Sequence, residues 1–178
     1  MDSGRSALSP RARALRTVAF LAVATFSLTG CGGATFGGQK ADTASVQLLN
    51  IEGVDSGGVY AGIVWAGLTR KDQSSVSVTL DPGVEPTPEF FDYLVELAWS
   101  VNDNKPNEPV SVHIRSDPQL NVRELAEEAG WTSLHELAFD EIGGPIFLDD
   151  VEERFGPWPG EPPEVPTDAL ILPDAGEQ

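Results

Sequence analysis

The chain has 178 residues, of which 28 are acidic and 11 basic, giving a formal net charge of −17. A charge of that sign and size repels nucleic acid and anionic headgroups, so DNA and RNA are excluded as partners. One cysteine, Cys31, is present in the whole chain, which excludes an intramolecular disulfide.

The chain opens with the parts of a secretory signal. Arg5, Arg11, Arg13 and Arg16 form a basic stretch, and Thr17 to Leu28 (TVAFLAVATFSL) forms an apolar run of 12 residues. A helix needs about 20 apolar residues to cross hydrocarbon, so the run reads as a signal segment and not as a permanent span. Leu28-Thr29-Gly30-Cys31 follows directly. This segment resembles the lipobox of bacterial lipoproteins, and the resemblance covers residues 1–31 only. It implies that residues 1–30 are removed and that Cys31 becomes a lipidated first residue carrying a diacylglyceryl group on its sulfur. The membrane is then a partner through the lipid, on the extracytoplasmic face. One acyl chain binds marginally and two or more anchor stably. Without residues 1–30, 11 minus 4 basic and 28 minus 1 acidic residues remain, a net of −20.

Residues 31–43, the lipidated Cys31 followed by Gly-rich sequence, read as a flexible tether. A single globular domain is expected over 44–155. Ala44 to Glu52 and Gly58 to Leu68 flank Asp55-Ser56-Gly57-Gly58, and this arrangement predicts a hairpin. Ser75 to Leu80 alternates with period two and predicts a third strand. Thr87-Pro88 supplies an N-cap hydroxyl and a first-turn proline for a helix with Phe90, Phe91, Leu94, Val95, Leu97, Ala98 and Val101 at helical spacing. Val110 to Ile114 is a strand, parallel to the previous one if the helix is a crossover. Asn121 and Glu124 resemble a capping box for a helix over 122–129, with Gly130 at its end. Residues 131–140 fit helix or strand and are assigned as strand. Pro145 to Leu148 is a short apolar run, and Asp149 to Arg154 is one or two turns of helix.

The tail, 156–178, is rich in proline and acid and is expected to be extended and mobile, except that Ala169 to Leu172 docks as an edge strand. The expected fold is α+β, a small mixed sheet with two main helices packed over one face.

Chemistry-bearing residues are sparse. His113 falls on the polar side of its strand, and His135 lies in the ambiguous segment; neither has a histidine or cysteine at ligand spacing. Asp140, Glu141, Asp149, Asp150, Glu152 and Glu153 offer oxygen ligands, so calcium is an alternative ligand, although the spacing is not that of an EF-hand loop. An acidic solvated face is the commoner outcome of such a run. Gly57, Gly58, Gly62 and Gly67 fit no phosphate loop and read as turn and strand-packing glycines. Trp65 and Trp99 are expected in the core, and Trp158, between two prolines, is the one available to a partner or to the packing of the tail. No catalytic constellation, cofactor motif or metal site is assigned. The function expected is a membrane-anchored, non-catalytic binding module of the cell envelope with an envelope protein as partner. An envelope enzyme using carboxylates and a calcium-responsive surface protein are the alternatives.

Overall fold

A computed structural model of the protein describes residues 37–134 and 138–173. Ten elements follow in order: α1 (Ala41–Leu49), β1 (Val54–Ala66), β2 (Thr69–Leu80), β3 (Glu85–Pro86), α2 (Pro88–Trp99), β4 (Val110–Arg115), α3 (Val122–Glu128), β5 (Gly143–Ile146), α4 (Leu148–Phe155) and β6 (Leu170–Ile171). The fold is α+β. A mixed sheet runs β1-β2-β4-β5, with β1/β2 and β4/β5 antiparallel and β2/β4 parallel, and β3 and β6 form a second, two-stranded sheet.

Alternation sets the two faces of the main sheet. Val76, Val78 and Leu80 of β2 and Val110, Val112 and Ile114 of β4 are buried, whereas Ser75, Ser77, Ser111 and His113 point to the other face. Helix α2 covers the buried face as the crossover from β2 to β4. It is the center of the core, with Phe90, Phe91, Leu94, Val95, Leu97 and Ala98 fully buried, each large side chain contributing about 1.5–3 kcal/mol by leaving water. Thr87 caps it as expected, accepting from the Phe90 N–H, with Pro88 in the first turn. Asn121 caps α3 by accepting from the Arg123 N–H, and Glu124 accepts from the Asn121 side-chain amide, so the reciprocal bond runs between side chains.

Four segments depart from expectation. The domain does not begin at 44, because Gly37, Gln39 and Lys40 are bonded to Asn102, Ser100 and Asp103, which removes 37–43 from the expected tether. Residues 44–52 are in turn not a strand, because Ala41–Leu49 is helical and buries Ala44 and Leu48 one turn apart. The decisive cap comes from far along the chain, where the Asp103 carboxylate accepts from the Ala41 N–H at 2.9 Å. Ser45 on the same helix accepts from the Val59 N–H at 2.8 Å, covering part of the outer edge of β1. The hairpin therefore forms between β1 and β2, with its turn at Gly67-Leu68, and the Asp55 to Gly58 signal marks a register shift between Val54 and Ser56. Residues 131–134 and 138–140 form no strand beyond a single bridge from Asp140 to Gly143, since Trp131 turns inward to a side-chain partner and Phe139 is buried.

The tail is the fourth. Residues 156–173 lie against the domain as a strap, extended but packed. The strap runs from α4 past the C-terminal end of α2, where Trp99 Nε1 donates to the Gly156 carbonyl and Trp158 Nε1 to the Val101 carbonyl, both at 3.0 Å. It then passes α1, where the Gln47 amide donates to the Pro163 carbonyl at 2.5 Å. It ends at the N-terminus of α2, where Thr87 donates to the Ala169 carbonyl and β6 pairs with β3. Docking of Ala169 to Leu172 is as expected, with Ala169 buried and Leu170 and Ile171 in β6.

Candidate functional site

Among the described residues the most exposed apolar side chains belong to the β1–β2 hairpin. These strands have 13 and 12 residues, but β4 pairs only with Ser75 to Thr79 of β2. The remaining part of the hairpin projects past the sheet as an arm. Its root is fixed on β2 by Asp72, whose backbone N–H donates to the Asn107 side chain at 2.8 Å, and by Ser74, whose hydroxyl donates to the Ala98 carbonyl at 2.7 Å. Beyond that level Ile63 and Val64 are exposed, Trp65 is 65% exposed and Leu68 completely so. Gly67 has φ +64, the left-handed region that a two-residue hairpin turn with glycine first requires. Trp65 is thus a correction to the core assignment. A strand residue is buried only where a second layer covers it, and among the described residues no helix reaches that far along the arm.

Charge follows the same division. From Ser56 to Lys71 the chain carries no carboxylate, the longest such interval after Asp42. Arg70 and Lys71 lie just behind the tip, with Arg70 bonded to Asp72 at 2.7 Å and Lys71 to Glu108 at 3.2 Å. The arm is therefore an apolar projection on an acidic protein, with its two cations paired at its base. Exposed apolar clusters of this kind mark interaction surfaces.

A second cluster is built on Asp92 of α2. Asp92 accepts from Trp131 Nε1 at 2.8 Å and pairs with Arg154, which lies over the Trp131 ring at 4.7 Å and also donates to the Ala129 carbonyl at 2.7 Å. Burial raises the Asp92 carboxyl above its ordinary range, against the opposing effects of Trp131 and Arg154. Burial, and then the Asp92 charge one turn away, likewise raises Glu96. An open cleft of about 400 Å³ lies beside this cluster, lined by Trp131, Ser133, Asp150, Glu153 and Arg154 among others. Both Asp92 oxygens are engaged by α4 and by the loop after α3, so the group ties three segments together. It is a clamp, with its oxygens turned to protein partners.

The remaining candidates are dispersed. His113 stands half-buried on the open sheet face, where burial holds its pKa below the ordinary value, Asp140 opposing and Arg115 adding to the shift. His135 and Cys31 lie outside the described residues. Asp140 accepts from the Ile142 N–H in a turn, and Asp149, Asp150, Glu152 and Glu153 belong to α4. Among the described residues no three histidine, cysteine or carboxylate side chains converge so as to hold a metal ion, and no helix is long and apolar enough to cross a membrane. Gly57 is a packing glycine, since a Cβ there would lie 2.6 Å from the Ser77 carbonyl oxygen. Trp99 is buried as expected, Trp158 is half-buried under its bond to Val101, and Trp131 is buried in the clamp.

Sequence reasoning did not single out the arm. The usable signal was the length of the acid-free interval together with apolar residues on both faces of one strand, Ile63 and Trp65 on one and Val64 and Ala66 on the other. Comparison with protein-family models, curated proteins and solved structures returned no match.

Proposed function

We propose that the protein is a lipid-anchored module of the cell envelope that acts by binding, with the β1–β2 arm as its binding surface. The anchor rests on Leu28-Thr29-Gly30-Cys31 after a basic and an apolar stretch, which makes Cys31 the lipid-accepting residue. The observation that carries the binding role is the exposure of Trp65 and Leu68 at the end of a root fixed by Asp72 and Ser74. A rigid root with an apolar tip presents contact area at low cost in ordering, which favours association. The Asp92 clamp, with its oxygens occupied, supports a stabilising part for the carboxylates most perturbed by burial.

Two measurements test the two halves. Cys31→Ser should abolish incorporation of a fatty-acid analogue and shift the protein out of the membrane fraction; continued labelling would overturn the anchor. A photocrosslinking residue at position 68 should capture a consistent envelope component, lipid or protein, in cells, whereas the same residue at exposed position 81 should not. Equal capture at both positions, or none at 68, would overturn the role of the arm.

A further inference from the structure

We infer that the arm's partner is the bilayer itself: the Trp65–Leu68 tip enters the headgroup and upper acyl region of the membrane to which Cys31 is attached. The inference rests on the anchored reading above and adds the identity of what the arm meets.

The first observation is where the chain enters the domain. The Gly37 carbonyl accepts from the Asn102 side chain at 3.2 Å, Gln39 bridges to Val101, and Lys40 and Ala41 both bond to Asp103. These contacts lie just past the C-terminal end of α2. The root of the arm lies at the same end, because Ser74 is bonded to Ala98 and Asp72 to Asn107. The entry point and the projecting hairpin thus share one end of the domain.

The second observation is length. Five residues lie between Cys31 and Gly37, and their six steps, at no more than about 3.5 Å each, hold Gly37 within about 21 Å of the Cys31 Cα. From the Ile63–Asp72 pair to the turn at Gly67-Leu68 is four to five residues, or about 15 Å at the rise of a strand. The projection of the arm is therefore comparable with the whole reach of the tether. An anchored domain has its entry end toward the lipid, and an arm of this length then bridges most of the remaining gap.

The third observation is the chemistry of the tip. Among the described residues Trp65 and Leu68 are the two most exposed large apolar side chains, and tryptophan favours the membrane–water boundary. Arg70 and Lys71 follow immediately and are paired with Asp72 and Glu108, so the nearest carboxylates behind the tip are neutralised where the arm would meet the headgroup layer. The net charge of −20 on the chain from Cys31 onward would repel an anionic surface, and the carboxylate-free interval Ser56–Lys71 keeps that repulsion away from the point of contact. A second copy or another protein is favoured less, since neither accounts for the shared end or for the matching lengths.

The test uses the lipidated protein reconstituted in phosphatidylcholine vesicles, with Cys31 blocked by its lipid so that Leu68→Cys supplies the one free thiol for an environment-sensitive dye. Brominated acyl chains should quench the dye at 68 and leave the same dye at Asp81→Cys, beyond the opposite end of β2, unquenched. An unquenched dye at 68 on protein that remains vesicle-bound would overturn the inference while leaving the anchor intact. Independently of the anchor, the chain from residue 31 carrying Cys31→Ser should still partition onto the vesicles, and adding Trp65→Ser with Leu68→Ser should weaken that partitioning about tenfold or more. Equal partitioning of these two proteins, with unchanged melting temperatures, would also overturn it. So would shielding of the dye at 68 that grows with protein concentration in the absence of lipid, which would identify a second copy as the partner.

Discussion

The arm and the strap are opposites in how they relate regular structure to burial. The arm is antiparallel sheet paired along its inner edges, yet Ile63, Val64, Trp65 and Leu68 face solvent. The strap has almost no regular structure, yet Gly160, Pro163 and Ala169 are buried and Trp158 is half-covered. Backbone pairing and side-chain burial are separate achievements. A hairpin pairs its inward-facing N–H and C=O groups wherever it extends and leaves the outward-facing ones to water, whereas burial needs a second layer, which α2 and the strap supply.

Mutations can break this contrast, and the largest effect belongs to the strap side. Trp99→Ala removes a 1% exposed ring that packs near Gly160 and donates to Gly156; unfolding by denaturant should show a loss of about 3–5 kcal/mol. A loss below about 1 kcal/mol would mean that the strap does not cover α2 as described. Thr87→Ala removes both the cap of α2 and the hydroxyl that holds Ala169; a loss of about 1 kcal/mol is expected, together with faster proteolysis of the strap.

Charge sharpens the same contrast, since the arm lacks carboxylates while α2 bears Asp92 and Glu96 one turn apart. Glu96→Gln should stabilise the protein at pH 7 by about 0.2–0.5 kcal/mol by removing a like-charge pair. The folded pKa of Glu96 lies above its ordinary value, so the native state binds its proton more readily than the unfolded state. The wild type therefore gains stability as pH falls through that folded value, and the advantage of Glu96→Gln should shrink toward zero below the ordinary carboxylate range. Melting curves of the two proteins that stay equally spaced between pH 7 and pH 4 would contradict this.

The smallest stability effect is expected on the arm. Trp65→Ala should change unfolding free energy by less than about 0.5 kcal/mol, because no second layer is lost. A larger destabilisation would show that the tip contributes to the fold, and would remove the contrast with Trp99.

Much of the α2 side was legible along the chain. Helix α2, its Thr87-Pro88 start, strand β4, the parallel crossover and the Asn121 cap follow from signals contained within a few residues. The proposed address, Cys31 after its signal-like segment, is also a local reading. The arm was legible only as an anomaly of charge, since nothing within 54–71 tells whether a helix lies over it. The clamp was not legible: Asp92, Trp131 and Arg154 are 39 and 23 residues apart along the chain and become neighbours only on folding.

By itself, then, the sequence determined the elements whose caps and periodicity are local, together with the α+β class they add up to. The tertiary structure decided that Ala41–Leu49 is helix, because its free N–H is capped by Asp103 from 62 residues away. It also decided that Trp65 is exposed and that the proline-rich tail is packed. Each of these depends on which surface is covered by which, and coverage is a property of distant segments meeting in space, where burial of apolar area and satisfaction of backbone groups are settled together.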